Sequence, residues 1–406
     1  MTTHTTRARL EALLPHAGQG TLDGEPLIPG IAQTTTFCRE GIESRSAHAY
    51  SRQSNPTVSA LERTLGSLEN APPAVCFGTG LGAEAALFLT LLQAGDHVVC
   101  SRALYGGTTR ILERILTGFG VHTDFVDTRD PALVADALRT NTRLVFLETP
   151  SNPTLDVTDL RAVADVAHAA GVRVAVDNTF LTPLLQQPLD CGADLTVTST
   201  TKFLEGHSAA LGGSIVTRDE ALLERLRFVR TCTGGIQSPF HAWLTLQGMK
   251  TLGVRLERQS ATAEAVALWL TERPEVARVH YPSLASAEQQ EVASRQHLGA
   301  HGAVLSFELE SGGEGARAFV RQLELCRLVE HVGSVETLIT HSATMTHAAV
   351  APVDRARVGV TDGLLRISVG LEPLDALLQD LERGLASGTS PTSVPTEEVQ
   401  ACKSPA

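Results

Sequence analysis

Between Pro73 and Thr217 the chain alternates apolar runs of strand length with segments of helical length. The runs are AVCF, HVVC, VHTDFV, RLVFLE, VRVAVD and DLTVTS; the segments between them include AEAALFLTLLQ, TTRILERILTGF, PALVADALR and LRAVADVAHAA. Strands this apolar need cover on both faces, and intervening helices supply it. The pattern therefore predicts an α/β fold, a mostly parallel sheet with helices on each side. In such sheets ligands gather beyond the carboxyl ends of the strands. Glu148, Asp177 and Ser199 each fall where a predicted strand stops, and Lys202 follows in the same rim.

After about Lys250 the texture changes to a long charged helix, LGVRLERQSATAEAVALWLTERP, then a strand GAVLSFELE, a helix GARAFVRQL, and a last strand and helix around LLRISVG and LDALLQDLERGL. This predicts a smaller α+β domain. The expected organisation is an N-terminal arm over residues 1–56, an α/β domain over 57–248, the α+β domain over 249–387 and a disordered tail over 388–406, where Ser, Thr and Pro replace apolar periodicity.

A formal charge of -12 with no basic stripe argues against nucleic acid and anionic membrane surfaces as partners, and leaves small molecules. The seven cysteines are scattered and never spaced as CxxC, which predicts a reducing compartment. The N-terminus has no apolar signal-like region, and AALFLTLLQA is too short to span a bilayer, so the expected location is cytoplasmic.

The chemistry rests on the rim. A lysine in a loop is ordinarily solvated, and Lys202 needs partners before it has a role. Asp177 in VDNTF either caps a turn or holds a pyridinium nitrogen protonated, as a pyridoxal phosphate ring requires; Lys202 would then be the Schiff-base partner, its ammonium destabilised by burial. FGTGLGAEAA offers a phosphate seat, a glycine-rich turn from strand into helix. Gly78, Gly80 and Ala83 also match the dinucleotide pattern of an NAD-dependent dehydrogenase. That rival needs an acidic residue ending the next strand, where this chain has Ser101 and Arg102.

YSRQSNPT, TGLGAEAA, YGGT, ETPSNPT, VDNTF, STTKFLEGHS, SPFHAWL, HSATMTH and LLRISVG stand in one order. In these stretches, from about His16 to Leu385, the chain resembles the Cys/Met-metabolism (trans-sulfuration) family of fold-type I pyridoxal phosphate enzymes, the cystathionine γ-synthase and γ-lyase group. The resemblance implies an aspartate aminotransferase-like fold with a seven-stranded, mostly parallel sheet. It also implies that Lys202 carries the cofactor and shuttles protons, Asp177 pairs with the pyridine nitrogen and Tyr105 stacks on the ring. Asn152 would bond near the ring's phenolic oxygen and contact substrate. Thr79, Gly80, Leu81, Ser199 and Thr201 would hold the phosphate. Tyr50 and Arg52 would reach the phosphate of a neighbouring subunit, making the active site a shared one and the protein a homotetramer of two active-site dimers. Arg366 would grip the α-carboxylate of an amino-acid substrate, with Glu330 and His331 beside the substrate.

Gly107 and Glu330 favour the cystathionine enzymes within that group, and SVETLITHSATMTH looks most like γ-synthases. The expected reaction is γ-replacement, O-acylhomoserine plus cysteine to cystathionine; the alternatives are cystathionine γ-lyase, O-acetylhomoserine sulfhydrylase and methionine γ-lyase. A catalytically silent pyridoxal-binding protein is the reading from another class. Three positions depart from the pattern: His331 where the family usually has serine, Ala209 where aspartate is expected, and Gln247 in place of arginine. No metal site is expected. His341 and His347 are not spaced as a metal pair, and His297 and His301, expected on one helix face, lack a completing carboxylate or cysteine.

Overall fold

The computed structural model describes residues 3–20, 25–348, 355–356 and 358–386. The expected tail over 388–406 lies outside the described residues. Seven strands form the first sheet: β1 (Val75–Phe77), β2 (His97–Ser101), β3 (His122–Val126), β4 (Thr142–Glu148), β5 (Arg173–Asp177), β6 (Leu195–Thr198) and β7 (Gly213–Thr217). Their order is β1-β7-β6-β5-β4-β2-β3, and only β7 runs antiparallel to its neighbours.

The pleat explains why these runs read as continuously apolar. Leu144 and Phe146 of β4 turn to one face with Val98, Cys100 and Ala175, while Val145 and Leu147 turn to the other with Val99, Val174 and Val176. On the first face lies helix α3 (Gly80–Leu91), through Ala83, Ala86, Leu87 and Phe88. The second is covered by the helix Leu160–Ala169, through Leu160, Val163, Ala164 and Ala167. With both faces dry, polar chemistry is confined to the strand ends.

Five strands make a second, mixed sheet, β8 (Val276–His280), β9 (Val304–Leu309), β10 (Arg327–Leu328), β11 (Leu338–His341) and β12 (Leu364–Ser368), in the order β10-β11-β12-β9-β8. The long helix Leu252–Thr271 and the helices Gly312–Gln322 and Leu374–Ala386 pack on it around Phe307, Phe319 and Leu381. Sequence patterning points to β9 and β12 only. β8 and β10 are sheet edges with several exposed side chains, and β11 has four residues, so neither length nor alternation marks them.

Among the described residues no helix is long and apolar enough to cross a membrane. They also hold no group of three or more His, Cys, Asp or Glu side chains placed to bind a metal. His297 and His301 differ from the helix-face expectation: the helix Ala287–Gln296 ends before both, and they meet through their Nδ1 atoms at 3.0 Å.

Candidate active site

β4, β5 and β6 end side by side, and the register sets Glu148 opposite Asp177 and Asp177 opposite Val197. The chain leaving β6 turns back over these ends as Ser199, Thr200, Thr201 and Lys202. Thr179 ties the turn down: its hydroxyl accepts the Ser199 N–H at 2.8 Å and donates to Asp177 Oδ1 at 2.5 Å, while its own N–H donates to the same oxygen at 2.9 Å. A cavity of about 300 Å³ opens between these residues, the first turn of α3 and the second sheet. Thr79, Gly80, Leu81, Tyr105, Asn152, Asp177, Ser199, Thr201, Lys202, Glu330 and Arg366 all line it.

α3 begins at the cavity. Thr79 caps it, accepting the Gly82 N–H at 2.9 Å, so the N–H groups of Gly80 and Leu81 have no helical partner. Gly80 packs against Ser199 so closely that a Cβ there would lie 2.8 Å from the serine Cβ. Thr201 is less free than expected for a phosphate ligand, because its hydroxyl donates to Gly212 O at 3.1 Å and accepts from Gly212 N at 2.9 Å.

Burial sets the electrostatics. Lys202 is pulled down to about 8, first by burial and then by the Arg366 cation, with Asp177 partly offsetting both. Asp177 is pushed up by burial, while the Thr179 hydrogen bonds and Lys202 pull it back. Two further buried acids lie beneath. Glu148, which accepts the Tyr105 N–H at 2.7 Å, is pushed well up by burial and by the Asp177 charge; Glu84 on α3 is pushed up to about 8 for the same reasons. The floor is therefore less negative at neutral pH than three carboxyls suggest.

Arg366 comes from β12, a strand paired on both sides, which excludes a surface ion pair for it. Nη1 donates to Asn152 Oδ1 at 2.8 Å and Nη2 to Thr340 Oγ1 at 3.2 Å, and Nε is buried with no partner among the described residues.

These features fit pyridoxal phosphate. An aldehyde needs an amine that is readily neutral, a pyridine nitrogen needs a buried carboxylate, and a phosphate needs unpartnered N–H groups at a helix start. Lys202, Asp177 and α3 present all three to one cavity.

A profile of the Cys/Met metabolism PLP-dependent enzymes matches residues 13–386. The chain belongs to that family. It is 42% identical to the O-succinylhomoserine sulfhydrylase of Pseudomonas aeruginosa over 340 residues, covering 84% of each chain. With the cystathionine β-lyase of Bacillus subtilis it shares 43% identity, over 90% of this chain and 92% of that one. The structure of a cystathionine γ-synthase from Xanthomonas oryzae pv. oryzae, in complex with aminoacrylate and cysteine, superposes with a TM-score of 0.90 at 39% identity, covering 96% of this chain and 98% of that one. This is a pyridoxal phosphate-dependent enzyme of the fold-type I trans-sulfuration group.

Tyr50 and Arg52 stand apart from the Lys202 cavity of their own chain. Arg52 donates to Thr231 O at 2.7 Å, and its guanidinium lies 5.4 Å from the Tyr50 ring centroid. His331 sets Nδ1 3.1 Å from the Nζ of Lys202, which lines the cavity. Sequence reading passed over Thr179, Glu84 and Arg110, which line the cavity as well. Glu84 had a signal, being the one acid in the apolar helix GLGAEAALFLTL. Arg110 ends the short helix α4 (Gly106–Arg110) that starts with the YGG glycines, four residues being one turn.

Proposed function

We propose that this enzyme performs replacement at the γ-carbon of an O-acylated homoserine, joining it to cysteine to form cystathionine. The observation that carries this reading is the charge arrangement around one cavity. Arg366 is buried beside Lys202, while Arg110 and Glu330 line the same cavity from exposed positions. Cystathionine has an amino-acid group at each end, so a carboxylate on Arg366 leaves a second carboxylate and ammonium for Arg110 and Glu330. A substrate without a charged distal end would leave both unused.

Pyridoxal phosphate, when bound, supplies an electron sink that acidifies the hydrogens of the substrate. The protein does the rest. Lys202 would hold the cofactor and, once released, move protons at Cα, Cβ and Cγ as a neutral amine. Asp177, anchored by Thr179, would keep the ring nitrogen protonated, and Tyr105, held through its N–H by Glu148, would cover the ring face. Gly80 and Leu81 N–H groups, Thr79 and Ser199 would take the phosphate, and Asn152 would keep Arg366 aimed at the α-carboxylate.

An oligomeric active site is part of this reading. Tyr50 and Arg52 do not line their own cavity, and the N-terminal segment exposes Leu27 (71%), Ile28 (48%) and Ile42 (93%), apolar surface that a second copy would cover. Residues 1–56 would then act as the arm, 57–248 as the cofactor domain and 249–387 as the substrate-closing domain.

Product analysis by mass spectrometry tests the reaction. O-succinyl-, O-acetyl- and O-phosphohomoserine are each supplied with cysteine or with sulfide, and cystathionine alone is the elimination control. Cystathionine from an O-acyl ester and cysteine supports the proposal; turnover of cystathionine alone to 2-oxobutanoate and cysteine, with no replacement product, overturns it in favour of γ-elimination.

A further inference from the structure

The structure places a second titratable nitrogen on the lysine. His331 Nδ1 lies 3.1 Å from Lys202 Nζ, and His331 Nε2 is buried with no partner among the described residues. The contact is built in. Two residues on, Gly333 has φ +85° and presses on the Lys202–Phe203 backbone, where a Cβ would lie 2.4 Å from Phe203 N. Its N–H donates to Ser368 Oγ at 2.8 Å, and the His331 carbonyl accepts from Arg366 Nη2 at 3.4 Å. The segment is thereby pinned to β12 and to the lysine turn together.

We propose that His331 is a proton-holding partner of Lys202, accepting on Nδ1 the proton that the lysine removes from substrate Cα and returning it later in the reaction. In this step an Nζ–H bond of the lysine ammonium breaks with its electron pair left on Nζ, and an N–H bond forms at Nδ1. Lys202 thus meets the Cβ hydrogen as a neutral amine without waiting for solvent. The inference rests on the γ-carbon chemistry proposed above, because only that chemistry asks one lysine to remove two protons in succession.

Charges around the ring make the transfer depend on bound substrate. His331 is pulled down to about 4 by burial first, then by the Lys202 and Arg366 cations, with Glu336 opposing them. Transfer itself removes the lysine charge, and a substrate carboxylate on Arg366 offsets the other. Burial remains, with Glu336 favouring the imidazolium.

Hydrogen exchange in deuterium oxide tests this without turnover. The substrate is L-2-aminobutyrate, which has Cα and Cβ hydrogens and no γ leaving group. Holoenzyme should exchange both positions. His331→Asn keeps an acceptor near Nζ but cannot hold the proton; it should retain Cα exchange within about threefold and lose Cβ exchange by about a hundredfold, the scale of a general acid–base contribution. Equal Cβ exchange in parent and variant overturns the histidine role alone; failure of the parent to exchange Cβ overturns the γ-carbon reading. A second readout needs no cofactor. In cofactor-free full-length protein the His331 ring resonance, identified by its loss in His331→Asn, should titrate at higher pH in Lys202→Met than in the parent. Identical titrations would mean the two nitrogens are not coupled and would overturn the proposal.

Discussion

Arg366 Nη1 donates to Asn152 Oδ1 at 2.8 Å, joining the middle of the second sheet to the loop that follows β4 of the first. One hydrogen bond thus aligns the guanidinium with the strand-end rim where Lys202 and Asp177 stand. Its geometry requires a planar fork, since Nη1 and Nη2 are held by different partners.

Arg366→Lys is therefore not a conservative change. A lysine keeps the charge but cannot satisfy Asn152, Thr340 and a carboxylate together. Steady-state kinetics should show kcat/KM lowered by roughly 30-fold or more, corresponding to about 2 kcal/mol or more for a broken buried charge pair. Cofactor affinity should stay within about twofold, because Arg366 lies on the second sheet and the phosphate seat on α3.

Gly80→Ala should act on the cofactor and leave the fold intact. The new Cβ would fall 2.8 Å from the Ser199 Cβ and separate α3 from the turn after β6. Overpacking of this kind costs about 1–3 kcal/mol, so the dissociation constant for pyridoxal phosphate should rise by roughly tenfold or more. Fluorescence titration of the cofactor-free protein measures it, with circular dichroism as the control for folding.

Glu69 gives a pH signature away from the site. It is buried, accepts the Thr196 hydroxyl at 2.7 Å and is pushed up to about 7 by burial, with that bond and Arg218 opposing. An unfolded glutamate titrates at about 4.3. Between these values the folded chain keeps a proton that the unfolded chain has released. Stability should therefore fall as pH rises through this window, by a few kcal/mol at most. Glu69→Gln carries no such proton, and urea unfolding at about pH 5 and about pH 7 should show a smaller decline for it than for the parent.

The α/β layer was legible because its strands are dry on both faces, so VRVAVD and RLVFLE stand out without any knowledge of pairing. The same rule placed Glu148, Asp177 and Lys202 at one rim, and the matched motifs supplied Arg366 and Asn152. Less legible were contacts made across the two sheets. His331 sits 129 positions from Lys202 in sequence, and the positive-φ Gly333 packed on Phe203, with the bonds to Ser368 and Arg366, brings them together. Glu84 and Arg110 are read as helix residues from periodicity; their facing into the cavity depends on how α3 and α4 are rotated, which no local pattern fixes.

Lys202, at the mouth of β6, is the residue expected to carry the cofactor. Borohydride reduction of the purified holoenzyme followed by peptide mapping tests it most directly. The pyridoxyl group should be found on the tryptic peptide containing Lys202, at about one per chain, and Lys202→Ala should abolish the label. A pyridoxyl group on Lys250 or Lys403 with Lys202 unmodified, or equal labelling of the Lys202→Ala protein, would contradict the account.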